Sequence, residues 1–196
     1  EVRRALDRRT PQGQPRTPAS RAMLVAALPT LDLFDAQACR DRALLLLGYA
    51  GLKPGELRAL TLGDLEFTPR GLVVRVGDAT CVIRSGFFHE LDPVGAARDW
   101  LRALRARFFD MPPEAVVFRG VSPWGEVADR PLGVASVGTI VDRLSQGGFD
   151  SDGLWRGLLV DAAGKGVPDA ALDRHRHRTG SISQRFGDAL VRAVGL

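Results

Sequence analysis

Residues Arg40 to Leu65 read RDRALLLLGYAGLKPGELRALTLGDL, and this stretch decides the fold. The unbroken apolar run Ala43-Leu44-Leu45-Leu46-Leu47 suits only a helix buried around most of its circumference. Gly48 and Gly51 loosen the end of that helix, and Lys53-Pro54-Gly55 turns the chain. Pro54 suits the first turn of a second helix, where its missing N–H costs nothing. Glu56 then falls in that first turn, beside the positive end of the helix dipole. Leu57, Leu60, Leu62 and Leu65 are expected to form the buried side of this second helix. The result is a buried helical hairpin with one cation, Lys53, at its tip. A fixed cation on a packed scaffold is what a phosphate site requires.

At 196 residues the chain is long enough for one sizeable core. Lys+Arg 27 against Asp+Glu 23 leaves a net charge of +4, a mildly basic balance that admits nucleic acid without singling it out. Lys53 and Lys165 are the only lysines, so nearly all the positive charge is arginine, as a GC-rich genome would also produce. Cys39 and Cys81 lack any CxxC spacing, which argues against a zinc site and a disulfide framework. Both read as small buried residues in a reducing compartment. No metal or cofactor is expected. No apolar run reaches membrane-spanning length and no signal-peptide pattern opens the chain, so the expected location is cytoplasmic, with no membrane partner.

Outward from the hairpin, Ser20 to Leu28 reads as a helix capped by Ser20 and stopped by Pro29. Thr10 to Ala19 is rich in Pro and Gln and reads as a linker. After Leu65 the period changes: Gly71–Val76 and Thr80–Arg84 are β-rich runs joined by Gly77-Asp78-Ala79, a β-hairpin. Pro93 to Phe109 is amphipathic, with Val94, Ala97, Trp100, Leu101 and Leu104 on one face and Arg98, Arg102 and Arg105 on another. Val116–Phe118 reads as a short strand or turn, Ser122–Arg130 as a loop around Trp124, and Val134–Leu144 as a helix. Gly147–Ala170 is rich in Gly and Asp and is expected to hold one short helix, Leu154–Ala162, among loops. The fold class is therefore mainly α with a small antiparallel sheet, an α+β domain.

Near the end, Leu172 to Arg185 reads LDRHRHRTGSISQR. His175 and Arg178, at i and i+3, share one face of a helix, and a helix N-terminus adds partial positive charge. Together they suit a phosphodiester and the charge that develops when one is attacked. A basic run that merely stays hydrated is the plainer reading of RHRHR.

The order Gly-Leu-cation-x-x-Glu-Leu-x-x-Leu at Gly51–Leu60, then Asp-Leu, a β-hairpin, and His-x-x-Arg-x-Gly at His175–Gly180 resembles the catalytic domain of the tyrosine recombinases, the phage-integrase family. The resemblance covers about Ser20 to Leu196. It implies that Lys53 occupies the place of the first phosphate-clamping arginine and Arg178 that of the second, with His175 at the position of proton transfer. Arg75, Arg84, Arg174, Arg176 and His177 would be further contacts to double-stranded DNA. It also implies that residues 1–19 are the tail of a DNA-clamping domain and its linker. Gly147–Ala170 would be an insertion. Other recombinase subunits, or further copies of this chain, become possible partners, and the location narrows to the nucleoid.

The departures matter as much. Lys53 keeps the charge of an arginine but loses its bidentate fork. The hairpin carries no lysine to protonate a leaving oxygen, and an always-charged guanidinium such as Arg75 or Arg84 is a poor proton donor. The one tyrosine, Tyr49, falls inside the leucine-rich helix, and no nucleophilic tyrosine follows the His-x-x-Arg motif within these residues. The sequence thus predicts a DNA-binding relative of the site-specific recombinases, related to DNA recombination and integration, that does not cut DNA as this chain stands. Two alternatives stay open: a truncated piece of an active recombinase, and a protein-interaction scaffold with no DNA role.

Overall fold

The computed structural model describes residues 17–29, 32–85, 91–133, 135–169 and 172. Among the described residues, six α-helices share one core, with a three-stranded and a two-stranded antiparallel sheet at its margin. The expected α+β class is what is observed.

The centre is α2, Ala36–Tyr49, capped by Asp35, whose carboxylate accepts from the N–H groups of Gln37 and Ala38. Every residue of α2 except Gln37 is buried. Leu44 to Leu47 are each within 1% of complete burial, and each contributes about 1.5–3 kcal/mol of transfer free energy. Three charged residues are buried with them: Arg40, Asp41 and Arg42. Asp41 takes the Arg40 Nε–H at 2.6 Å on one oxygen and the guanidinium of Arg143 on the other. Arg40 also donates to the carbonyl of Arg119 at 3.3 Å. A buried carboxylate between two guanidiniums satisfies the rule that interior charge must be paired.

The short α3, Pro54–Ala59, follows as expected, but it is shorter than the leucine spacing predicts. Leu57 and Leu60 are buried, whereas Leu62 lies in a 3₁₀ turn, Leu62–Asp64, and Leu65 begins strand β1, Leu65–Thr68. The break comes at Thr61, whose N–H and hydroxyl both bond the Asp64 carboxylate, at 2.8 and 2.7 Å, and restart the chain in a new direction. Strands β2 (Gly71–Val76) and β3 (Ala79–Ile83) form the expected hairpin, and β1 joins it as a third strand in the order β1-β2-β3. In this register Leu72, Val74 and Ile83 face the core, while Glu66, Val73, Arg75 and Thr80 lie on the outer face. Gly71 sits at φ +136°, and a Cβ there would stand 2.1 Å from the Ile83 carbonyl oxygen, so only glycine fits.

Helix α4, Pro93–Arg105, is capped by Asp92 and packs Val94, Ala97, Trp100, Leu101 and Leu104 inward, as its periodicity predicts. The Trp100 indole is fully buried and donates to the Val117 carbonyl at 2.9 Å. The stretch expected to be a loop around Trp124 is instead a β-ribbon: β4, Arg119–Val121, pairs with β5, Val127–Pro131, and Trp124 sits in the exposed turn. The buried Arg119 guanidinium anchors this ribbon to Asp129 at 2.5 Å and stacks over Phe108 at 4.6 Å. Helix α5, Ser136–Ser145, and the first helix α1, Arg21–Ala27 with Ser20 as cap, lie close to expectation.

The largest correction concerns α6, Ser151–Gly164. A 14-residue helix stands where a short one among loops was expected, and it is part of the core. Leu154, Leu158, Leu159 and Ala162 are buried. Asp150 caps it by accepting the Gly153 N–H at 2.6 Å. Gly157 lets the chain pass very close: a Cβ there would lie 2.1 Å from the Ala19 carbonyl oxygen and 2.9 Å from the Tyr49 ring. Ala19, at the end of the expected linker, is itself buried, and its N–H donates to Gly153 at 2.9 Å.

Candidate nucleic-acid interface

Lys53 stands where the sequence places it, at the N-cap of α3. Its backbone is extended, and its N–H donates to Glu56 Oε2 at 2.7 Å. Pro54 in the first helical turn fixes the next φ angle, and the preceding Leu52 is buried. The main chain under the cation is thus held from both sides. The half-buried Lys53 side chain brings its ammonium to 5.5 Å from the ring centroid of Trp155, on α6. Trp155 went unnoticed in the sequence because it lies in the Gly- and Asp-rich stretch. One signal pointed to it: Leu154, Leu158 and Ala162 keep helical spacing through the glycines.

Arg75 sits on the outer face of the small sheet, exposed and bridged to Glu66 Oε2 on β1 at 2.5 Å. It also reaches the Gly63 carbonyl at 3.4 Å. Arg84 directly follows β3 and is half-buried. Lys53 and Arg75 therefore engage different elements, α6 for one and β1 for the other. At the exposed turn of the hairpin stand Gly77 and Asp78, an acid rather than a base. His175, Arg178, Arg174, Arg176 and His177 lie outside the described residues. The last described position before them, Leu172, is buried in the core, with its N–H donating to Pro168.

Among the described residues, two side chains able to act as nucleophiles, Tyr49 and Cys39, are held in their protonated forms. Tyr49 is 2% exposed and its hydroxyl donates to the Asp161 carboxylate on α6. Burial first, then that hydrogen bond and the Asp161 charge, raise the phenol well above its ordinary range, so it stays protonated. Cys39 is buried with its thiol against the Asp32 carbonyl. Burial, reinforced by the charges of Asp99, Asp35 and Asp32, raises its pKa as well. Cys81 is half-buried and not in a disulfide. Among the described residues no group of His, Cys, Asp and Glu is arranged to hold a metal ion, and no helix is long and apolar enough to cross a membrane.

A buried helical hairpin, a three-stranded sheet after it and helices closing the core define an integrase-like α+β fold. The integrase from mycobacterium phage Brujita shares this fold, with a TM-score of 0.58 and 18% sequence identity over 94% of this chain. The alignment takes in 58% of that integrase, so the chain spans less than two thirds of its length. No protein-family model and no curated protein matches the sequence.

Proposed function

We propose that the chain is a DNA-binding protein of the tyrosine-recombinase fold that contacts the phosphate backbone through Lys53, His175 and Arg178 but does not cleave it. The observation that carries this reading is Lys53 itself: an ammonium on a rigid helix start, at the motif position where the family places a phosphate clamp, within a fold shared with a phage integrase. Arg75, Arg84, Arg174, Arg176 and His177 extend the contact surface. Cleavage needs a nucleophile, and Tyr49 is buried and bonded to Asp161. A tyrosine from outside these residues, in a continuing chain or a neighbouring subunit, would be required. It would still meet a lysine in place of the arginine fork and a hairpin without a lysine. In this reading residues 1–19 tether an upstream DNA-clamping domain to the domain formed by 20–196.

The test is fluorescence anisotropy on a labelled 30-base-pair duplex across a salt series. The expected result is binding that weakens steeply with salt, with a slope reduced by about one unit for each phosphate contact removed in Lys53→Gln or Arg178→Gln. Absence of binding at low salt, or affinity indifferent to salt, would rule the reading out and leave the protein-interaction alternative.

A further inference from the structure

The arginine face of α4 has no part in the DNA reading, yet it is more than a hydrated stripe. Arg98, Arg102 and Arg105 follow one another at i, i+4 and i+7, covering about 10.5 Å of helix. With Phe67 of β1 and Leu101 they enclose an open hollow of about 400 Å³. Its floor is apolar: Leu101 is nearly fully buried, and the half-buried Phe67 ring carries the Arg98 guanidinium stacked at 5.1 Å from its centroid. The ring restrains the exposed Arg98 guanidinium and leaves N–H groups open to solvent, which suits it to a carboxylate. Arg102 is bridged to Asp99 at 2.8 Å, and Arg105 projects from the last turn, exposed.

We infer that this hollow docks an acidic protein segment whose carboxylate lies beside a large apolar side chain. The charge is complementary: three of the five residues that line the hollow are arginines and none is acidic. The apolar floor decides between partners. The backbone of a DNA duplex, whose bases are paired and stacked inside, offers no large apolar group to Phe67 and Leu101. It also favours guanidiniums that project in a row, whereas that of Arg98 sits over the Phe67 ring and Arg102 is bridged to Asp99 on its own helix. An apolar side chain fills the floor, and an adjacent Asp or Glu reaches the edges of Arg98 and Arg105. Aromatic and Arg enrichment at a desolvated centre is the usual composition of such an interface.

The test is selection of a random 12-residue peptide library displayed on phage against the immobilised protein, in parallel with the variant Arg98→Gln/Arg105→Gln. Arg105→Gln alone serves as a second variant at an exposed position, and circular dichroism checks that both fold. Expected is enrichment, on the unaltered protein, of peptides with Asp or Glu next to Leu, Phe or Trp. Synthetic copies of them should bind at least tenfold more weakly to the double variant and several-fold more weakly to Arg105→Gln. Enrichment of no such pattern, equal binding to the variants, or equal binding of a polyglutamate peptide would overturn the inference. So would a fall in the salt slope of duplex binding in the double variant, which would assign the face to nucleic acid. Because peptide binding is read without DNA, the result stands apart from the DNA reading.

Discussion

Helices α2 and α4 pack against each other, are nearly equal in length and are both rich in arginine, yet they use charge in opposite ways. In α2 the charges are inside: Arg40, Asp41 and Arg42 are buried, and Asp41 joins Arg40 to Arg143 of α5. In α4 the charges are outside, and the helix buries one face only. A count of basic residues cannot tell these apart. Interior arginines hold helices together and are unavailable to any ligand, so the net charge of +4 understates how far structural and surface charge are segregated.

The contrast can be broken most directly at Asp41. Asp41→Asn leaves Arg40 buried without its counter-charge and should cost about 3–5 kcal/mol in urea unfolding. A loss below about 1 kcal/mol would mean that water reaches the cluster and that the two helices do not differ as described. Tyr49→Phe removes the hydrogen bond from α2 to Asp161 and should cost about 1–2 kcal/mol at neutral pH. It also sharpens the pH dependence. Because the folded state keeps the Tyr49 phenol neutral while the unfolded chain ionises near pH 10, the unfolded state binds fewer protons above that pH. Stability should therefore be fully present below about pH 10 and fall as pH rises beyond it, and Tyr49→Phe should lose less over that range when urea midpoints are compared.

Lys53 lies between the two extremes, half-buried over Trp155. Trp155→Ala should leave the fold intact but weaken duplex binding by several-fold, since a cation–π contact of this exposure contributes about 0.5–1 kcal/mol. Unchanged affinity would show that Trp155 does not position the cation. The smallest effect belongs to α4: Arg102→Gln should change stability by no more than about 0.5 kcal/mol, because its bridge to Asp99 is exposed. A larger change in thermal unfolding would place part of the arginine face in the core.

What the sequence made legible was local. The turn at Lys53 could be read because Pro54 and Glu56 signal a helix start within four residues. Helix α4 could be read because its apolar residues keep a 3.6-residue period beneath Asp92 and Pro93. Strand β1 could not, since Leu57, Leu60, Leu62 and Leu65 continue a plausible helical face, and only the Thr61–Asp64 bonds show where the chain departs from it. The ribbon of β4 and β5 was hidden because Asp129, Arg130 and Pro131 suit a loop. What holds them is the buried Arg119, a contact across the ribbon. Helix α6 was obscured by its own glycines, which are costly in an isolated helix and become intelligible only when Ala19 and Tyr49 are seen against Gly157. The site divided the same way: Lys53 is legible in the motif, whereas its pairing with Trp155 is visible only in three dimensions.

The seating of Ala19 on α6 also has a mechanical meaning. Its N–H is bonded to Gly153 and its carbonyl lies against Gly157, one helical turn further along. Tension applied to the chain ahead of residue 17 is therefore borne first by α6, before α1 or any strand. Between those two glycines, on that helix, stands Trp155, the ring beneath the Lys53 ammonium. A tug at the front of the domain is delivered, within one turn of helix, to the ring that faces the Lys53 ammonium.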